Sequence, residues 1–339
     1  MSTPSTHITA PRRFSWLLRR EFWEHKGGFL WAPVWAAGIS LVLSLMALIF
    51  AEVMAGRKLA AGKAALGDGA FVVNGINLGS ITVQMSPEDL QQFADGLTAS
   101  LASVMFWPML VLGFVVFFYC LDSLYDERRD RSVLFWKSLP LSDRDTVLSK
   151  LASALVVAPL IAAGVGIVCM LGFLLMLSVF VLIHHGNPLT LLWSPASLAG
   201  NIAVLLAALP IYALWALPSV GWLMLCSAWA RSKPFLWAVM LPIFAGVFLS
   251  WFDWMSGIEL HSGWFWRHVV AHLLLGVFPG TWMGAMDLDS LVATTTFNQW
   301  QVVKVMYGML AKPQLWLGAV AGAGMILAAI HLRRRRDDA

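Results

Sequence analysis

Six runs without a single Asp, Glu, Lys or Arg constrain this chain more than any other feature: Gly28–Ala51, Leu101–Leu121, Leu151–Ile183, Ala199–Ala230, Phe235–Phe252 and Pro313–Leu332. Crossing about 30 Å of hydrocarbon takes roughly 20 helical residues, and a helix satisfies its own backbone hydrogen bonds where no water is at hand. Each run therefore reads as a transmembrane helix. With 59% hydrophobic and 12% charged residues and a mean hydropathy of +0.73, the chain lies far from the balance of a soluble domain. The expected fold class is an all-α integral membrane protein with six transmembrane helices, forming one domain over residues 1–339. The third and fourth runs exceed a perpendicular crossing, so they tilt, kink or project, with Pro159, Pro210, Pro218 and Pro242 as kink sites.

Orientation follows from the cations. With residues 1–27 inside, 17 of the 23 Lys and Arg residues fall on the cytoplasmic side, including Arg333 to Arg336, which places both termini there. The sequence pI near 9.1 is then a consequence of membrane topology and gives no reason to expect nucleic-acid binding. Segments 52–100 and 253–312 become extracytoplasmic. Within the second of these, Trp264 to Met286 is apolar but carries Arg267, His268 and His272 and is broken at Pro279-Gly280. A seventh crossing would put the terminal arginines outside, and an arginine near mid-membrane costs about 2.5 to 3.5 kcal/mol. The expectation is a helix pair that dips into the outer leaflet and returns, or lies on it. Segment 52–100 reads as a solvated connector with short alternating pieces, Phe71–Val73 and Ile81–Val83, before a helix starting at Ser86-Pro87-Glu88-Asp89 that runs into the second crossing.

The N-terminal basic stretch is long, and the apolar run after it exceeds the 7 to 15 residues usual for a signal peptide, so an uncleaved first crossing is expected. Arg12 to Lys26 fits an amphipathic surface helix with Phe14, Leu17, Leu18 and Phe22 on one face. Glu21 falls at the centre of that apolar face. A bare carboxylate there is unfavourable, so it should pair with a cation or a backbone donor.

Residues 122–150, DSLYDERRDRSVLFWKSLPLSDRDTVLSK, form a charged loop interrupted by a short apolar helix. Asp130 or Ser132 can cap that helix, Val133, Leu134, Phe135 and Trp136 form its body, and Pro140 ends it. Ser142 then caps the next helix, with Asp145 three residues on, and that helix enters the membrane after Lys150. A compact apolar helix held off the bilayer by charge suits a cleft on another protein.

The order of these parts resembles the type-2 family of ABC exporter permeases: an amphipathic N-terminal helix with Arg20-Glu21, six crossings, a loop closed by Leu-Pro-Leu-Ser at Leu139 to Ser142, and an apolar outer segment before the last crossing. The likeness covers nearly the whole chain, and Asp126 to Lys150 is its motif-like part. It implies that residues 122–150 form the coupling loop that docks on a separate ATP-binding subunit, and that the N-terminal helix with Arg20 and Glu21 touches the same partner. Glu127 matches the acidic position before the coupling helix, Ser132 its first hydroxyl, Pro140 and Ser142 the closing turn, and Lys150 the start of the third crossing. Arg128 belongs to the same coupling region. Arg131 departs from the glycine often found there, which leaves the starting angle of the helix open. For Trp264 to Met286 the resemblance implies a re-entrant outer gate that includes Trp264, Trp266, His268, His272 and Pro279.

Catalytic motifs are scarce. Gly62-Lys63 is followed by Ala64, and the leading glycine position is Arg57, so no phosphate-binding loop is present. No Gly-x-Ser-x-Gly elbow occurs. Cys120, Cys169 and Cys226 lie in or at the ends of crossings and suggest no disulfide framework. His268 and His272, four apart, could hold a metal with Glu259, His261, Asp287 or Asp289, which would suit a membrane-embedded metalloenzyme, but His-Glu-x-x-His is missing. His184-His185 reads as the outer end of the third crossing. Trp251, Trp254, Trp264 and Trp266 collect near the expected gate, either as an interfacial belt or as the lining of an amphiphile path. Gly318-x-x-x-Gly322 permits close helix packing.

The expected function is therefore a non-catalytic permease subunit in the inner membrane of a bacterium, exporting an amphiphile with two ABC ATP-binding subunits and a second or homologous permease. Cofactors bind elsewhere: ATP and Mg sit on the partner. An ion-extruding permease and the metalloenzyme are the alternatives. In a chain lacking its own cysteines, Ser138→Cys and Asp338→Cys should be labelled from the cytoplasm alone and Asp68→Cys from outside alone. External labelling at position 338 would replace six crossings by seven.

Overall fold

The computed structural model describes residues 10–66, 86–130, 142–256, 261–286 and 299–335. It contains α1 (Ala10–Glu24), α2 (Ala32–Leu66), α3 (Pro87–Val104), α4 (Phe106–Asp122), α5 (Tyr125–Arg129), α6 (Asp143–Ala152), α7 (Ala158–Ile183), α8 (Leu198–Trp229) and α9 (Pro234–Ser256). α10 (Ser262–Phe265), α11 (Ala271–Leu275), α12 (Gln299–Gly308) and α13 (Pro313–Arg335) follow, and no strand occurs among the described residues. Six helical stretches are long and apolar enough to cross a membrane: Gly27–Met54, Pro87–Arg129, Asp143–Ile183, Leu189–Trp229, Pro234–Ser256 and Pro313–Arg335. The described residues form an all-helical fold, and the chain is a multi-pass membrane protein.

Local chemistry explains the boundaries. Ser86 starts α3 with a complete capping box: its hydroxyl accepts from the Asp89 N–H at 3.2 Å, and the Asp89 carboxylate accepts the Ser86 N–H at 3.1 Å. After a single turn at Met105 the chain continues as α4, so the second crossing is entered by a preformed helix, as the sequence suggests. Ser142 likewise accepts the Asp145 N–H at 3.1 Å to start α6. The connector expected from Glu52 is corrected at its start. Residues Glu52–Leu66 continue α2, because Ala, Leu, Met and Lys there favour helix. Phe71–Val73 and Ile81–Val83 lie outside the described residues.

α8 occupies the centre of the bundle. Its buried Tyr212, Ala216, Val220 and Leu223 join Leu112 and Val116 of α4 and Ile326 of α13 in one core. Pro210 and Pro218 both lie inside it. Exposed Phe244 and Phe248 on α9 and Leu317 and Val320 on α13 face outward, the arrangement expected where lipid replaces water.

Lipid provides little hydrophobic drive between helices, so close backbone contact matters more. A Cβ on Gly322 would lie 2.7 Å from the Leu217 carbonyl and the Pro218 nitrogen, and one on Gly221 would lie 2.7 Å from the Gly322 carbonyl oxygen. The Gly318-x-x-x-Gly322 motif thus seats α13 on α8 within the chain. Gly322→Ala should destabilise the protein by about 1 to 3 kcal/mol through overpacking against backbone that cannot rotate away. Gly324→Ala, with nothing within 4 Å of its Cβ, should match or exceed the parent. Thermal unfolding in detergent checks the pair, and equal losses would contradict the contact.

Candidate functional site

α1 packs Leu17 and Phe22 inward and leaves Trp16 and Trp23 exposed. That register delivers Glu21 to full burial at the helix ends. The expected pairing is present: Lys150 Nζ lies 3.0 Å from Glu21 Oε1, and the Tyr119 hydroxyl donates to Glu21 Oε2 at 2.9 Å. Lys150 also lies 3.1 Å from Glu127 Oε1. Glu127 in turn accepts Arg333 Nη1 at 2.6 Å, and Arg333 Nε donates to Asp143 at 3.1 Å. Arg20 reaches Glu127 at 3.4 Å and Glu21 at 3.6 Å.

Three carboxylates therefore meet three cations, contributed by α1, α5, α6 and α13. Burial of single charges would be prohibitive, whereas alternating signs with satisfied hydrogen bonds make the cluster tolerable. Its members lie at both feet of residues 131–141. Arg128, beside Glu127 on α5, turns the other way. Its guanidinium donates to the carbonyls of Ser227 and Ala230 at the end of α8, the latter at 3.0 Å. The buried Ser227 hydroxyl accepts the N–H groups of Leu124 and Tyr125 at 3.1 and 3.0 Å. Each helix end thus satisfies the other's unpaired backbone groups.

Of the sites expected from sequence, Arg20, Glu21 and Glu127 come together, Arg128 adjoins them, and Ser142 caps the helix carrying Lys150. Ser132, Val133, Leu134, Phe135, Trp136 and Pro140 lie outside the described residues. Tyr119, Asp143, Arg333 and Ser227 were not singled out as site residues by sequence reasoning. An arginine that opens a terminal basic run looks like a topology signal, and a serine near a helix end carries no mark of a partner about 100 positions away.

Residues 261–286 form a second node. Helical from Ser262 to Leu275, the segment turns at Gly276–Gly280, where Pro279 precedes Gly280 at φ +90°, and ends in a short 3-10 helix at Thr281–Ala285. His268 and His272 rest on different partners. The His268 ring stacks on Trp264 at 5.0 Å, and the His272 ring stacks on Trp215 at 4.2 Å. His272 Nε2 donates to the Trp215 carbonyl at 2.9 Å. Burial holds the His272 imidazole below the usual histidine range; the bond to Trp215 opposes this, and His268 adds to it. Trp266 donates to Ser250 at 2.9 Å, which fixes it against α9, while Trp251, Trp254 and Trp264 remain exposed. Among the described residues no group of three or more His, Cys, Asp or Glu is arranged to hold a metal ion. The three cysteines are buried and unpaired.

No family model matches the chain, and no curated protein or solved structure compared with it is significantly similar.

Lys150→Met should be strongly destabilising, by about 3 to 5 kcal/mol, because it takes the nearest cation from the buried Glu21 carboxylate and one of the three from Glu127. Lys150→Met combined with Glu21→Gln should recover part of that loss. Unfolding midpoints in detergent would show it; a double variant no better than the single one contradicts a charge-balanced cluster.

Proposed function

We propose that the chain is the membrane-spanning permease subunit of an ABC-type exporter, moving an amphiphile outward with ATP hydrolysed by two separate ATP-binding subunits. One juxtaposition supports this reading. Arg20-Glu21 and the stretch from Glu127 to Lys150, the two parts that the family resemblance links to the ATP-binding partner, share a buried ionic junction although Arg20 and Glu127 stand 107 positions apart. A loop carried on such a junction moves together with α1, α6 and α13.

In this reading residues 131–141 dock on the partner through Phe135 and Trp136, and closure of the partner around ATP and Mg displaces the junction. Segment 261–286 is the outer re-entrant gate, with Trp264, Trp266, His268, His272 and Pro279 in it. A second permease copy completes the path, with α4 and α9 at the contact. The crossings carry few fixed charges away from the helix ends, which suits an amphiphile better than a small ion that needs coordinating oxygens. The chain itself is not an enzyme, and its place is the inner membrane of a bacterium with both termini in the cytoplasm.

Replacing Phe135 and Trp136 together by alanine should leave the protein inserted and as stable as the parent, yet reduce copurification of an ATP-binding subunit at least tenfold, since buried aromatic anchors dominate such interfaces. In proteoliposomes with that subunit, the parent should show ATP hydrolysis stimulated by amphiphiles. Full retention of the partner by the variant would move the docking site elsewhere, and the absence of any ATP-binding subunit from native purifications would remove the permease reading.

A further inference from the structure

Residues 272–281 are tied to the rest of the protein in a one-sided way. Among the described residues, every side-chain hydrogen bond that leaves this stretch goes to α8. The Tyr212 hydroxyl donates to the Val277 carbonyl at 2.9 Å, and Trp215 Nε1 donates to the Thr281 hydroxyl at 3.1 Å. His272 Nε2 donates to the Trp215 carbonyl, and the Ser219 hydroxyl donates back to the His272 carbonyl. Contact with α4 is by packing alone: Phe278 fills the space that a Cβ on Gly113 would occupy, and its ring meets Phe114 edge-on at 4.9 Å.

The four bonds bracket Pro218, which has no N–H to offer the Leu214 carbonyl and so interrupts the helical ladder there. Gly322 of α13 backs the same turn. Eight residues beyond Ser219, about 12 Å at the helical rise, α8 ends in the reciprocal cap with α5 through Ser227 and Arg128. One helix therefore carries hydrogen bonds to α5 at one point and to the Gly276–Gly280 turn at another.

We infer that α8 is the strut through which displacement of α5 reaches the Gly276–Gly280 turn, with Arg128, Ser227 and His272 as its positioning residues. The direction of this action, from loop to outer gate, rests on the permease reading; the mechanical link does not. α5 cannot shift without either breaking the bonds to Ser227 and Ala230 or carrying the end of α8 with it. A shift of α8 pulls on the segment before the turn through His272 and on the turn itself through Val277.

The reporter for the test is Val277→Cys, since Val277 is fully buried and cysteine preserves its carbonyl bond to Tyr212. The full chain is used in lipid nanodiscs, without any ATP-binding subunit and with Cys120, Cys169 and Cys226 replaced by alanine. Maleimide should label position 277 slowly in this background, and about tenfold or more faster after Arg128→Gln or Ser227→Ala, given the usual strength of hydrogen bonds involving a charged donor or two amides. Arg129→Gln removes the same charge from an exposed neighbour on α5 and should leave the rate unchanged. Parent-like labelling in both Arg128→Gln and Ser227→Ala, or equal acceleration by Arg129→Gln, would overturn the inference. No partner takes part in this measurement, so its outcome is separate from partner capture by Phe135 and Trp136.

Discussion

The enclosure of the Glu21 carboxylate governs how the helix ends are arranged. A charge removed from water must be matched at short range, and here the match with Lys150 at 3.0 Å draws α1 onto the start of the third crossing. Lys150 then needs more than one acceptor, which Glu127 supplies, and Glu127 in turn holds Arg333. The chain of requirements links segments from across the sequence into one base. Such networks contribute less to net stability than to specifying a single arrangement, because desolvation offsets much of the Coulomb gain. For residues 131–141 the consequence is mechanical: both their flanking helices stand on the same base.

Above that base, small residues and backbone bonds replace charge. α8 and α13 approach through Gly221 and Gly322, and α8 offers Tyr212, Trp215 and Ser219 to segment 261–286. This division follows the solvent. Near the helix ends, long cationic side chains can reach partners at low cost, while deeper in the bundle each polar group must be satisfied by a neighbour already in contact.

Much of this was legible in the sequence. The charge-free runs gave the six long helices, Ser86 and Ser142 marked true helix starts, and the position of Glu21 on an apolar face required a partner. The helix over Glu52–Leu66 is hard to read because Gly56, Gly62 and the charged residues between them mask strong helix formers. Arg333, Tyr119 and Ser227 were hidden for another reason: their importance lies in contacts between distant segments, and neither periodicity nor spacing records which helix end faces which. Arg128 is instructive, since its charge marked the loop but only the fold shows that it caps α8 and not the ionic cluster.

The histidine pair shows what spacing alone does not record. Residues four apart share a helical face, which is why His268 and His272 resemble a ligand pair. The segment between Trp266 and Val270 winds as a π-helical turn, and the two rings settle on different tryptophans. A metal needs a nitrogen lone pair, and neutral imidazole has one. At His272 the Nε2 proton is committed to the Trp215 carbonyl, so only Nδ1 remains, and at His268 Nδ1 itself donates to the Trp264 carbonyl at 3.0 Å. With opposite nitrogens engaged and each ring stacked on a separate indole, the pair helps fix segment 261–286 to itself and to α8.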